Sequence, residues 1–147
     1  MIGFFEHQYL SYKKNHLKNL LALARADGDV HTKEQKMLFM IGKKYGLKDR
    51  QVKTLINSDE KFEVNVPDNH DDKMNVLYDV MLMVYADGVV QKSEVAFCED
   101  MVKKFGMKKE VVGWLLNEVF AKGTPPMRDE WRELTEIARG KYVTKLR

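Results

Sequence analysis

An internal repeat constrains the fold of this chain more than any other feature of its sequence. When the 147-residue sequence is displaced by 60 residues, residues 17–57 align with residues 77–117 without a gap, and thirteen of the 41 aligned positions are identical. The strongest matches pair ARADGDVHTKEQ with VYADGVVQKSEV, and KKYGLK with KKFGMK. The identical residues lie mainly in predicted turns, whereas at apolar positions one apolar residue usually replaces another. This division is typical of a duplicated structural unit.

Each copy of the repeat predicts three helices. In the first copy, apolar residues recur at helical spacing, and glycines follow the predicted helix ends. The expected turn glycines are Gly28 and Gly46 in the first copy and Gly88 and Gly106 in the second. We therefore predict an all-α fold, a compact bundle of seven to eight helices built from two three-helix repeats that are related by a pseudo-twofold axis.

The repeat also predicts how the chain is organised. We expect one domain over residues 1–147, with repeat one at 15–57, an acidic connector at 58–71, repeat two at 72–122 and a C-terminal helix at 124–142. That last helix begins Thr-Pro-Pro, a favourable helix start. Residues 2–13 form a separate amphipathic segment in this scheme. Residues 62–66 are the one stretch with the two-residue alternation that is typical of a strand.

Composition excludes several classes of protein. The net charge of +3 is too small to indicate a nucleic-acid-binding protein, and a single cysteine excludes an internal disulfide or a cysteine-rich zinc site. No apolar run is long enough to span a membrane, and the first residues lack the basic region of a secretory signal. These observations predict a cytoplasmic protein.

The second helix of each repeat has a recognisable start. Thr32-x-x-Gln35 has the pattern of a capping box, in which a hydroxyl and an amide side chain bind free backbone N–H groups. Lys92 replaces the hydroxyl in the second copy, where Ser93 is the expected substitute.

The paired motifs resemble a known family. Ala-Asp-Gly-x-Val occurs twice, each time with a glutamate six residues beyond the glycine, and the pair is similar to that of the TerB-like family of tellurite-resistance-associated helical domains. The N-terminal domain of a membrane-anchored DnaJ-like protein is also similar. The resemblance implies a non-enzymatic bacterial domain, in the cytoplasm or at the inner face of the membrane. It further implies a role in a stress or toxic-oxyanion response through protein assembly, with metal ions as a suggested cofactor.

The Asp-Gly motifs allow two interpretations. Aligned on the glycine, each motif matches the second half of an EF-hand loop, but the first half supplies no oxygen side chains. A divalent cation would therefore need both loops, and the candidate ligands are Asp27, Asp29, Glu34, Asp87 and Glu94. Alternatively, the aspartates bind backbone N–H groups in the turn and the glutamates cap the following helix, with no cation. Apart from this divalent cation, no cofactor is predicted.

We predict no catalytic residues, and therefore no enzyme. The four histidines have no metal-ligand spacing, and Cys98 aligns with Leu38, which predicts a buried, inert thiol. The sequence has nine methionines, and the seven within the two repeats form either an adaptable core or a groove that repacks around a partner helix.

The sequence thus predicts an interaction module. It would bind a protein partner through a groove between its halves or through the acidic face around the Asp-Gly turns. The alternatives are a metal-responsive protein and an adaptor at a membrane surface, where the amphipathic residues 2–13 would make peripheral contact. Nucleic acid is not an expected partner, and the sequence leaves the oligomeric state open.

Overall fold

The computed structural model describes residues 3–27, 30, 32–59, 61–85, 90–121 and 124–144, with side chains from residue 13 onward except that of Asp27. Within these residues the chain forms a compact bundle of seven α-helices without a β-strand. The helices are α1 (Gly3–Ala24), α2 (Thr32–Lys44), α3 (Asp49–Asn57), α4 (His70–Val84), α5 (Lys92–Lys104), α6 (Glu110–Trp114) and α7 (Arg128–Lys141). A 3₁₀ turn, Arg25–Asp27, follows α1, and a π-helical turn, Leu115–Val119, continues α6.

Helices α2 and α5 are matched in length and in how they end. Each has 13 residues, and their first residues are 60 positions apart. Gly46 and Gly106 follow them with φ of +83° and +78°, and the amide after each glycine donates to the carbonyl five residues earlier at 2.8 Å. This is the Schellman helix end, which favours glycine. The prediction for these two glycines is confirmed, whereas Gly28 and Gly88 lie outside the described residues.

Two predicted boundaries were wrong. Residues 2–13 were expected to form a separate segment, but from Gly3 they belong to the single 22-residue helix α1. The C-terminal helix begins at Arg128 rather than at Thr124. The residue before a proline is disfavoured in helical geometry, which disfavours a helix at Thr124 and at Pro125. The two prolines therefore precede α7 and do not belong to its first turn.

The connector between the two halves is extended, but it pairs with no strand among the described residues. Asn19, a buried residue of α1, holds it through both ends of its amide group. Its Oδ1 accepts from the backbone N–H of Asn65 at 2.7 Å, and its Nδ2 donates to the carbonyl of Asn65 at 2.9 Å. The side-chain amide of Asn19 therefore makes the two backbone hydrogen bonds that a neighbouring strand would otherwise make. The alternation at 62–66 did not indicate a strand.

The core lies where α1 and α4 pack together, with α2 against both of them and α5 against α1. Its largest fully buried side chains include Leu17, Leu20, Met81 and Phe105. Helices α2 and α3 approach so closely that a Cβ added at Gly42 would lie 2.5 Å from Cγ2 of Val52. The absence of a side chain at Gly42 is therefore what permits this contact.

The end of the chain returns to the end of α5. The amide of Lys108 donates to the carbonyl of Tyr142 at 2.7 Å, and the amide of Thr144 donates to the carbonyl of Gly106 at 2.8 Å. Tyr142 is buried and its ring lies 5.3 Å from that of Trp114. These contacts fix α7 onto the half of the molecule that contains repeat two.

Candidate functional site

The structure describes only part of the predicted cation site. Asp29 and Asp87 lie outside the described residues, as does the side chain of Asp27. Glu34 and Glu94 are described, and both are buried in the first turn of their helices, at 3% exposure each. Helix α5 also contacts the 3₁₀ turn Arg25–Asp27, which brings the start of the first Asp-Gly motif towards repeat two.

Glu94 has a structural role at the start of α5. Its Oε1 accepts from the backbone N–H of Gln91 at 3.0 Å, so that the capping pair is Gln91 and Glu94. The predicted substitute Ser93 is inside the helix instead. Thr32 is likewise the first helical residue of α2, and Gln35 donates to the carbonyl of Val30 at 3.2 Å. The prediction that Ser93 caps α5 was therefore wrong, because the capping residue is Gln91, two positions earlier.

The Glu94 contact supports the capping interpretation of the motif. Within the described part of the chain, no three His, Cys, Asp or Glu side chains are grouped so that they would hold a metal ion. The cation site of Asp27, Asp29, Glu34, Asp87 and Glu94 stays a prediction, because most of its members lie outside that part.

A buried polar cluster joins the two halves at a place that the sequence did not indicate. Asp79 of α4 is fully buried, and three side chains bind its carboxylate. His16 Nε2 lies 2.6 Å from Oδ2, the Tyr45 hydroxyl donates to Oδ2 at 3.0 Å, and Lys44 Nζ donates to Oδ1 at 2.9 Å. We call His16, Lys44, Tyr45 and Asp79 the Asp79 cluster.

The electrostatics of the Asp79 cluster favour an ionised carboxylate. Burial acts to raise the pKa of Asp79, but the hydrogen bond with His16 and attraction to His16 and Lys44 outweigh it, and the pKa is held below its ordinary value. The Lys44 side chain is 49% exposed, so the cluster reaches the surface through its ammonium group. Lys44 Nζ also lies 5.3 Å and 5.4 Å from the ring centroids of Tyr45 and Tyr78.

Two cavities open along the contact between α2 and α4. The first, which we call the methionine groove, has a volume of about 330 Å³ and lies between α2, α4 and the segment before α7. Its lining residues are Met37, Met81, Leu82, Tyr85, Phe120, Ala121, Thr124 and Pro125. The Tyr85 hydroxyl donates to the carbonyl of Leu116 at 2.8 Å and so fixes one wall. This cavity lies between the two halves of the molecule, where a groove was expected from the sequence.

The second cavity, which we call the Trp131 cleft, has a volume of about 430 Å³. Lys44 and Tyr45 at the end of α2, Asn75 and Tyr78 of α4, and Arg128 and Trp131 of α7 line it. The Tyr78 hydroxyl donates to the carbonyl of Pro126 at 2.9 Å, which fixes the segment that enters α7. Residues near the end of α2 face residues near the start of α4, so the two helices are antiparallel. The two cavities therefore lie at opposite ends of the contact between these helices.

Cys98 is buried, as predicted, with 1% exposure. Burial, followed by the negative charges of Glu94 and Glu99, raises the pKa of this thiol to about 12. A thiol in this state is a poor nucleophile. The prediction that the chain has no catalytic residues stays a prediction, since no comparison tests it.

Comparisons with known proteins found no matching family model, no similar curated protein and no similar solved structure. Among the described residues, no helix is both long enough and apolar enough to cross a membrane.

Proposed function

We propose that this protein is a TerB-like helical interaction module that binds an amphipathic helix of a partner protein in the methionine groove. The observation that carries the proposal is the groove itself. It is a preformed apolar cavity between α2 and α4, and two methionines line it. Methionine side chains are flexible and polarizable, and they adapt to the shape of a bound apolar side chain.

The surface beside the groove fits the same partner. Met40, one helical turn beyond Met37 on α2, is 66% exposed and extends the apolar surface. Lys33 and Lys36 are exposed and lie one turn before these two methionines. An apolar helix face flanked by acidic residues therefore matches the groove in shape and in charge.

The TerB-like assignment and the pseudo-twofold belong to this proposal. In its support, α2 and α5 share their length, their Schellman end and a buried glutamate in the first turn. The helix contacts also agree with a pseudo-twofold axis. Helix α2 of the first repeat contacts α4 of the second, and α5 of the second repeat contacts α1 of the first. As a member of that family the protein would act in the bacterial cytoplasm or at the inner face of the membrane, in a stress or tellurite-resistance response.

The test begins with affinity capture from the protein's own cells, using the wild type and the Met37→Glu variant. Ile137→Glu is the matched control, because it places the same charge on an exposed apolar residue of α7 that lines neither cavity. We expect Met37→Glu to lose a partner that the wild type and the control retain. Circular dichroism of both variants establishes that they are folded.

The captured partner is then tested with purified proteins. Methyl-labelled methionine NMR of the wild type follows the addition of the partner's helical segment as a peptide. We expect Met37, which is only partly buried, to shift more than Met81, which lines the groove but is fully buried, while Met74 and Met107, which line neither cavity, do not shift. A partner that binds Met37→Glu as tightly as the wild type, or that shifts no groove methionine, would contradict the proposal.

A further inference from the structure

The Trp131 cleft has a lining unlike that of the methionine groove and shares no residue with it. Two of the lining side chains are cationic, three are aromatic and one is an amide: Lys44, Arg128, Tyr45, Tyr78, Trp131 and Asn75. Its volume of about 430 Å³ is within the range of small-molecule sites. The cleft is therefore a second candidate site, with a chemistry of its own.

The charges of the cleft favour an anion. No carboxylate is among the described residues that line it, and Asp79 lies behind Lys44 with no exposed surface. Arg128 is exposed and forms no ion pair or side-chain hydrogen bond with the described residues, so that its guanidinium group is free to bind a ligand. A guanidinium group binds a carboxylate or a phosphate through two parallel hydrogen bonds.

Another cavity, with a volume of about 510 Å³, adjoins the Trp131 cleft and shares Asn75, Arg128 and Trp131 with it. Its two carboxylates, Asp71 and Glu136, both contact Arg139, at 3.3 Å and 3.2 Å, and Arg132 contributes a further cation. These acidic side chains are therefore partly neutralised by a residue outside the cleft.

The aromatic residues hold fixed positions. The rings of Tyr78 and Trp131 meet edge to face with centroids 5.0 Å apart, and the Tyr78 hydroxyl is bound to Pro126. Lys44 is held by Asp79 and by the faces of Tyr45 and Tyr78. The Trp131 indole Nε1 is buried and has no hydrogen-bond partner among the described residues. Buried donors of this kind are uncommon, and here the unused donor belongs to a residue of the cleft wall.

We propose that the Trp131 cleft binds a small aromatic anion, a planar ring that carries a carboxylate or phosphate group. The anionic group would contact Arg128 and Lys44, and the ring would pack against the aromatic wall. A cation is disfavoured by Lys44 and Arg128, and an uncharged ring would leave Arg128 without a partner. This binding is independent of the methionine groove.

The test is a titration of the full-length protein with four probes, followed by ¹⁵N NMR of the two tryptophan indoles. The probes are indole-3-acetate, adenosine monophosphate, adenosine and inorganic phosphate. The Trp114→Phe variant assigns the Trp131 signal. We expect at least one of the first two probes to shift the Trp131 indole signal at millimolar concentration, and the uncharged nucleoside and free phosphate to bind at least about tenfold more weakly than that probe. The two anionic probes also distinguish a carboxylate ligand from a phosphate ligand.

Arg128→Gln is the test variant, because this exposed side chain has no partner within the described part of the chain that its loss would disturb. Arg50→Gln removes the same charge from an exposed residue of α3 that lines neither cavity. We expect Arg128→Gln to weaken binding of the anionic probe about tenfold and Arg50→Gln to leave it unchanged. The proposal is overturned if neither aromatic anion shifts the Trp131 signal, if phosphate or adenosine binds as tightly, or if both variants bind like the wild type.

Discussion

His16 Nε2 and Asp79 Oδ2 lie 2.6 Å apart, and this contact joins α1 to α4 across 63 positions of the sequence. Neither side chain has exposed surface. A buried ionised group is stable only when its charge and its hydrogen-bonding capacity are met by partners. Helices α1 and α4 therefore hold one relative position, because a shift of either would separate Asp79 from His16.

We expect Asp79→Ala to lower the free energy of unfolding by about 3–5 kcal/mol, the usual effect of removing one member of a buried charged pair. The substitution removes the acceptor of His16, Lys44 and Tyr45 at once. Asp100→Ala is the control, because Asp100 is an exposed residue of α5, and its cost is expected to stay below about 0.5 kcal/mol. Urea denaturation followed by circular dichroism measures both. Equal costs for the two variants would show that the cluster contributes nothing particular to stability.

The depressed pKa of Asp79 predicts how stability depends on pH. A carboxyl group whose pKa is lower in the folded than in the unfolded protein binds protons more readily when unfolded. Its contribution is therefore fully present above the unfolded pKa of about 3.9 and is lost as the pH falls through the folded value. We expect the stability difference between the wild type and Asp79→Asn to shrink as the pH falls from the unfolded value of about 3.9 towards the lower folded value. Urea denaturation at a series of pH values measures this difference, and a difference that grows on acidification would contradict the assignment.

The sequence predicted those parts of the fold that depend on local signals. The ends of α2 and α5 were predicted because lysines and a glycine mark them, and Gly46 and Gly106 have the expected backbone conformation. The Asp79 cluster was not predicted, because its partners are brought together by tertiary packing and no local pattern encodes them. One available signal was an aspartate within the otherwise apolar run VLYDVMLMV of α4.

The same reasoning explains the errors at helix boundaries. The start of α7 was misplaced because a proline that favours a first helical turn also disfavours the helix in the residue before it. The connector alternates like a strand at 62–66, yet the bonds of Asn65 go to Asn19, 46 residues away. The 60-residue offset aligns Asn19 with Asp79, and both of these polar residues are buried. The alignment of the two copies was therefore a second signal that this position is special.

Asn19 predicts a test of how the connector is held. Asn19→Ala removes both hydrogen bonds to the backbone of Asn65, each of which contributes about 0.5–1.5 kcal/mol to stability. We expect faster trypsin cleavage after Lys61, an exposed residue of the connector, under native conditions. Asn117→Ala, at an exposed position, is the control and is expected to be cleaved like the wild type. Unchanged cleavage of Asn19→Ala would mean that other contacts hold the connector.

Glu94 distinguishes a helix cap from a cation ligand. Because Glu94 accepts from the backbone N–H of Gln91, we expect Glu94→Ala to cost about 0.5–2 kcal/mol and Glu94→Gln, which retains an acceptor oxygen, to cost less. The melting temperature is measured with excess calcium and with a chelator. If the cap is the whole role of Glu94, the cost is the same in both conditions. A calcium-dependent rise in melting temperature that Glu94→Ala abolishes would instead support the cation site.

The burial of Cys98 predicts that its thiol reacts slowly in the folded protein. With the pKa raised to about 12, only about one thiol in ten thousand is ionised at pH 8, and the sulfur is also shielded from reagents. We expect native protein to react with an aromatic disulfide reagent at least about a hundredfold more slowly than protein unfolded in guanidinium chloride. The reaction is followed by absorbance at pH 8, and the Cys98→Ser variant gives the background. Rapid reaction of the native protein would mean that α5 opens readily, which contradicts the packing of Cys98 in the core.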